Sequence, residues 1–153
     1  MPALKGISSC IPPELLCILA KMGHGDQIVL ADNNFPADSI ASNCPGGIIR
    51  CDGHDIPRLL TGICRLMPLD LYVDCPAMVM QKMECDKDLV IPVYDEYEKI
   101  MSESEGKPIK MEFVERFEFY ERAKKCYCVV ATGETARYAN IILQKGCVLD
   151  PLP

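Results

Sequence analysis

The chain has 153 residues, 49% apolar and 25% charged, which suits a single globular domain spanning residues 1–153 without a linker. A chain of this size buries about two-thirds of its surface on folding and needs no covalent staples. Its formal charge of −6 gives no footing to a phosphate backbone or an anionic membrane, so neither nucleic acid nor lipid is expected as a partner.

In chain order, Pro12 and Pro13 open a helix that carries Leu15, Ile18, Leu19 and Met22 at helical spacing, and Gly23 stops it. The apolar run 28–31 reads as a buried strand, followed by a polar turn at Asp32-Asn33-Asn34. Gly46-Gly47 reads as a turn and Ile48-Ile49 as a short strand. Asp55 is a candidate cap for a helix bearing Ile56, Leu59, Leu60, Ile63 and Met67, ended by Pro68. Residues 77–83 read as a strand. Pro92 starts a more polar helix with Val93, Tyr97 and Ile100 on one face, and the polar stretch 102–106 is expected as a mobile loop. Ile109, Met111 and Phe113 alternate with charges as in a half-exposed strand, and a short charged helix is expected over 117–124. Residues 127–131 and 141–143 are two further strands, with a polar loop 133–140 between them. Strands alternating with helices imply an α/β domain, and ligands of such sheets gather beyond the strands' carboxyl ends.

The N-terminus lacks the uninterrupted apolar stretch of a secretion signal, so a cytoplasmic location is expected. The ten cysteines are then read as reduced thiols, mostly core-forming, since no Cys-x-x-Cys spacing exists. Cys126 and Cys128 are expected to share one face of a strand. No Gly-x-Gly-x-x-Gly, phosphate loop or Gly-x-Ser-x-Gly elbow occurs, which leaves hydride transfer, phosphoryl transfer and serine hydrolysis without support.

Acid/base chemistry remains. Imidazole is the side chain best matched to proton transfer near neutral pH, and the sequence holds two histidines, His24 and His54. His54 reads as a solvated loop residue. His24 lies between glycines, which frees the backbone and leaves the ring open, but a lone Gly-His-Gly turn is by default a plain turn. The segment 116–122 reads as an amphipathic stretch. The loop 132–140 collects hydroxyl, amide and aromatic groups suited to a sugar, or else forms a polar turn around a buried tyrosine.

Together these segments carry a resemblance. Pro13-Glu14-Leu15-Leu16, Met22-Gly23-His24-Gly25-Asp26, Ala31-Asp32 with Phe35-Pro36, Arg50-Cys51-Asp52-Gly53 and Pro68-Leu69-Asp70 stand in the order seen in fucose mutarotases. So do Arg116-Phe117-Glu118-Phe119-Tyr120-Glu121-Arg122-Ala123, Thr132-Gly133-Glu134 and Tyr138-Ala139-Asn140-Ile141. The chain therefore resembles the family that joins fucose mutarotases and D-ribose pyranases, and the aromatic-rich stretch looks like the fucose branch.

The resemblance implies a three-layer α/β/α domain around a mixed, mostly parallel sheet of about six strands. It also implies cofactor-free interconversion of the α and β anomers of L-fucose. His24 matches the family's proton donor, and Tyr120 a second acid/base group. Asp32, Asp70, Arg116, Tyr120, Tyr138, Ala139 and Asn140 match sugar contacts, with Ala139 standing where the family motif has glycine. Ring-shaped homo-oligomers up to decamers are implied, with active sites near subunit contacts. The rival readings are a D-ribose pyranase or other monosaccharide mutarotase, a sugar-binding protein without catalysis, and a thiol or metal protein using the cysteines.

Overall fold

The computed structural model describes residues 2–150. Helix α1 (Pro13–Lys21) has proline in its first turn, where the missing amide hydrogen costs nothing, and buries Leu15, Ile18 and Leu19. Lys145 closes it from outside, donating to the Leu19 and Met22 carbonyls at 2.7 and 2.6 Å, where the helix dipole favours a cation. Helix α2 (Ala37–Ala41) was not visible in the periodicity; five residues are too few to repeat an apolar face. Helix α3 (Ile56–Cys64) is capped by Asp55, whose carboxylate accepts from the Arg58 amide at 2.9 Å.

Helix α4 (Val93–Glu105) corrects the expected mobile loop at 102–106. Ser104 donates to the Cys64 carbonyl at 3.0 Å and Ser102 accepts from the Ile109 amide at 2.9 Å, so polar residues that looked solvated are bonded to other elements. The helix ends at Gly106, whose φ of 69° is left-handed. Helix α5 spans Arg116–Ala123, after one intervening strand.

The strands are β1 (Gln27–Ala31), β2 (Ile48–Cys51), β3 (Ala77–Met80), β4 (Met111–Val114), β5 (Cys128–Thr132) and β6 (Ile141–Gln144). Strand β3 is shorter than the 77–83 expected, because the chain then turns away into a 3-10 turn at Glu84–Asp86. The six-stranded sheet runs β2-β5-β1-β6-β3-β4. Only β6 is antiparallel to its neighbours, β1 and β3. The remaining pairs are parallel. The carboxyl ends of the other strands therefore share one edge, the front, with the amino end of β6. The opposite edge, the rear, holds the start of β1 and the end of β6.

Helices α1, α3 and α4 pack on one face of the sheet and α2 and α5 on the other, giving two apolar clusters and the expected three layers. Cys126 and Cys128 do not share a face. Cys126 precedes β5 and packs with α2 and α5, while Cys128 faces the other cluster. Burial pushes the Cys51 thiol up to about 11 and those of Cys64 and Cys128 to about 12, so none of these is a thiolate at neutral pH. No helix among the described residues is long and apolar enough to cross a membrane.

Candidate active site

At the front edge, Asp32 leaves β1 and Asn140 enters β6. The register that pairs Leu30 with Ile141 makes them neighbours. Asn140 grips the aspartate twice: its Oδ1 accepts from the Asp32 amide at 2.7 Å, and its Nδ2 donates to Asp32 Oδ2 at 3.0 Å. The Asn34 amide donates to the other oxygen at 3.0 Å. Burial pushes the Asp32 carboxyl above the ordinary range, against the lowering pull of the Asn34, Phe35 and Ala139 amides and the Asn140 side chain.

Helix α5 brings the next pair. Glu115 caps it, accepting from the Phe117 and Glu118 amides at 2.9 and 3.1 Å, and buried Phe119 anchors it. Arg116 and Tyr120, one turn apart, then face the same side. Arg116 Nε donates to Tyr120 Oη at 3.3 Å, with the guanidinium 5.7 Å from that ring's centroid. A guanidinium offers no acceptor, so the Tyr120 proton stays available. Phe35 packs edge-on against Tyr120 at 5.6 Å.

Tyr138 completes the wall in left-handed backbone, φ 60°, rare for a residue with a β-carbon. Asp32, Arg116, Tyr120, Tyr138 and Asn140 line a cavity of about 310 Å³, and Phe35, Met80 and Met83 form its apolar side.

The rear edge holds a different arrangement. Gly25, at φ 85°, turns the chain into β1, and its amide donates to the Lys145 carbonyl at 2.9 Å. This presents His24, about half exposed, with Nε2 lying 3.2 Å from Oδ2 of buried Asp70. Gln144 Nε2 donates to the same oxygen at 2.8 Å and itself accepts from Gln27 at 2.9 Å; the Tyr72 amide donates to Asp70 Oδ1 at 3.1 Å. Burial raises the Asp70 carboxyl, but the bonds from Gln144, Tyr72 and His24 outweigh it, and it sits below the ordinary range. The Tyr72 ring lies 5.8 Å from the imidazole.

A sequence profile of the RbsD / FucU transport protein family matches residues 5–148. The chain belongs to that family. It is 55% identical to the fucose mutarotase of Mus musculus, with 95% of each chain covered. It superposes on FucU from Bifidobacterium longum with a TM-score of 0.90 at 49% identity, covering 95% of this chain and 100% of that one. The fucose mutarotase from Streptococcus pneumoniae, solved in complex with L-fucose, gives a TM-score of 0.86 at 48% identity with the same coverage.

Within this RbsD/FucU chain, the residues singled out from sequence divide. Asp32, Arg116, Tyr120, Tyr138 and Asn140 meet at the front cavity. His24 and Asp70 meet each other at the rear, with the five residues of β1, roughly 16 Å at a strand's rise, in between. His24 thus does not meet Asp32 or Tyr120 inside one chain. Ala139, expected at the sugar, is wholly buried; its carbonyl accepts from Tyr97 Oη at 2.8 Å and its amide holds Asp32. It supports the cavity from behind.

His54 is not the solvated loop residue expected: it is half-buried, and its Nδ1 is buried without a partner among the described residues. Its carbonyl accepts from the Gly133 amide at 2.9 Å. A β-carbon at Gly133 would come within 2.2 Å of the Asp52 carbonyl oxygen, so only glycine lets the 132–140 loop close against β2. Glu134 then binds that loop inward, accepting from the Ala136 and Ile56 amides at 2.9 and 3.3 Å.

Sequence reasoning missed Tyr94 and Asp86. Tyr94 Oη lies 2.8 Å from the Met80 carbonyl and 2.7 Å from that of Tyr138. Asp86 reaches Tyr138 across 52 residues of chain. No local pattern signals contacts at such separation.

Proposed function

We propose that this protein is an L-fucose mutarotase, an isomerase that opens and recloses the sugar ring by general acid/base catalysis. Two copies build each active site: the front cavity of one and the His24 edge of another. The observation that carries this reading is the separation of the two halves. The polar cavity that suits a monosaccharide is lined at the front edge without a histidine, while His24 stands on Asp70 at the opposite edge of the sheet.

The chemistry asks for two proton carriers. The ring oxygen gains a proton as the anomeric hydroxyl loses one; the C1–O5 bond breaks, the open aldehyde turns about C1–C2, and the ring closes on its other face. Asp32 and Asn140 fix hydroxyls, Arg116 donates to an oxygen, and Tyr138 offers a ring face. Tyr120, its proton uncommitted, is one carrier. His24 is the other. Its Nε2 is turned to Asp70, which leaves Nδ1 for the sugar, and the anionic Asp70 stabilises the imidazolium that forms.

The halves also match as surfaces. Exposed Leu71, Tyr72 and Val73 follow Asp70 in the chain, and Val148 and Leu149 follow β6 at the same edge. Exposed Met83 and Phe117 flank the cavity at the other edge. Such apolar side chains suit a contact between copies, in keeping with the ring-shaped oligomers that the family resemblance implies. Phe35, Met80 and Met83 suit the methyl group of a 6-deoxy sugar, which favours L-fucose over D-ribose. The many free thiols favour a reducing compartment, the cytoplasm.

Saturation-transfer NMR between the two anomers tests this. His24→Ala is expected to slow L-fucose exchange by about 10²–10⁴-fold while still binding the sugar, and the wild type is expected to prefer L-fucose to D-ribose. Exchange at the wild-type rate in His24→Ala defeats the reading.

A further inference from the structure

The cavity contains two tyrosines in opposite hydrogen-bonding states. Tyr120 accepts from Arg116 and keeps its proton, whereas Tyr138 Oη donates to Asp86 Oδ2 at 2.6 Å. The same carboxylate oxygen accepts from Arg137 Nη2 at 2.6 Å. A phenol has one proton to donate. That of Tyr138 is committed to Asp86.

We propose that Asp86 is a positioning residue for the sugar site: its carboxylate takes the Tyr138 phenolic hydrogen bond, holds that ring on the cavity wall, and so makes Tyr138 a binding platform and not a proton carrier. This rests on reading the front cavity as the sugar seat.

Three observations support it. First, Tyr138 needs holding. Its left-handed backbone is unfavourable for a residue with a side chain, and such conformations persist only where surrounding contacts over-determine them. Tyr94 restrains the carbonyl end at 2.7 Å, and Asp86 restrains the hydroxyl end. Second, Asp86 is itself fixed. Its amide donates to the Met83 carbonyl at 2.9 Å, and Lys82 Nζ donates to the Lys87 and Leu89 carbonyls at 2.6 and 2.8 Å, which closes the segment into a loop at the cavity's rim. Third, the bond favours a neutral phenol at one end and an anionic carboxylate at the other. It holds the Tyr138 phenol above its ordinary value and, with Arg137, holds the Asp86 carboxyl below its own.

The consequence is a division of labour. Tyr138 presents its face and a lone pair to the sugar, and proton traffic passes through Tyr120 on this side of the ring. A second mobile phenolic proton beside the sugar hydroxyls would offer a competing, unproductive partner.

The test is a double-mutant cycle on the full chain, with KM and kcat for L-fucose read by anomer-exchange NMR and folding verified by thermal melts. Asp86→Ala is expected to raise KM about tenfold, the scale for a lost charged hydrogen bond, with kcat within about twofold. Tyr138→Phe, which removes the same bond from the other side, should do likewise. Asp86→Asn, whose amide oxygen still accepts from the phenol, should recover most of the KM. Asp86→Ala added to Tyr138→Phe should change nothing further, because both delete one bond. A wild-type KM in Asp86→Ala overturns the proposal, as do effects of the two variants that multiply, or a fall in kcat alone. Asn140→Ala separates the two readings. If it leaves L-fucose affinity unchanged, the sugar seat lies elsewhere and both fall. If it abolishes binding while Asp86→Ala has no effect, only the role of Asp86 fails.

Discussion

The front and rear edges of the sheet carry two aspartates held in nearly the same way and tuned in opposite directions. Asp32 receives the Asn140 amide at 3.0 Å, and Asp70 receives the Gln144 amide at 2.8 Å; both amides come from the two ends of β6. Burial wins at Asp32 and pushes its carboxyl up. At Asp70 the donors win, His24 among them, and the carboxyl is held down. One edge keeps a carboxyl raised by burial beside a cavity. The other keeps an anion beneath an exposed imidazole. What separates them is the local balance of donors against burial, and the antiparallel β6 lets one strand serve both.

The largest effect that would break or sharpen this comparison comes from mixing. His24→Ala damages only the rear edge and Asp32→Ala only the front, so each alone should lose about 10²-fold or more in anomer exchange. Subunits of the two variants, unfolded and refolded together, should regain measurable exchange, because an intact front then meets an intact rear. Recovery absent from a mixture that has assembled would show that the two edges do not meet.

A middle-sized effect is expected at Asp70. Asp70→Asn keeps the shape but removes the anion, and should slow exchange about tenfold, with sugar affinity little changed. Its stability signature has a definite sign. Because the folded carboxyl is depressed, its contribution is present above the unfolded value of about 3.9 and is lost as pH falls through the folded value. Thermal melts of wild type and Asp70→Asn should therefore converge in acid.

The smallest effect is the opposite slope at Asp32. A raised folded carboxyl contributes stability below about pH 3.9 that disappears as pH rises through the folded value. The melting temperature of wild type relative to Asp32→Asn should thus fall as pH rises from the unfolded value of about 3.9 through the folded one. Parallel slopes for the two aspartates would end the contrast between the edges.

Much of this architecture was legible in the chain. Pro13 and Asp55 mark helix starts because each acts on the backbone within a few residues of itself, and the run 28–31 reads as a strand because it is uniformly apolar. The failures share one cause. Helix α2 is too short to show a period, Ser102 and Ser104 find partners on other elements, and Cys126 and Cys128 part company because β5 begins between them. At the site, the motifs named Asp32, Arg116, Tyr120, Tyr138 and Asn140, and the fold gathers these five around one cavity. They could not place Asp70 under His24, since that contact exists only after β6 lies antiparallel beside β1.

By itself the sequence determined the alternation of elements, the family, and the side chains able to move protons or bind a sugar, because periodicity, capping and motif order are properties of neighbouring residues. Only the tertiary structure decided how those side chains are grouped. Strand order and direction bring Tyr120, Tyr138 and Asn140 to Asp32 and bring Asp70 to His24, and long-range contacts set how each aspartate and each tyrosine is hydrogen-bonded.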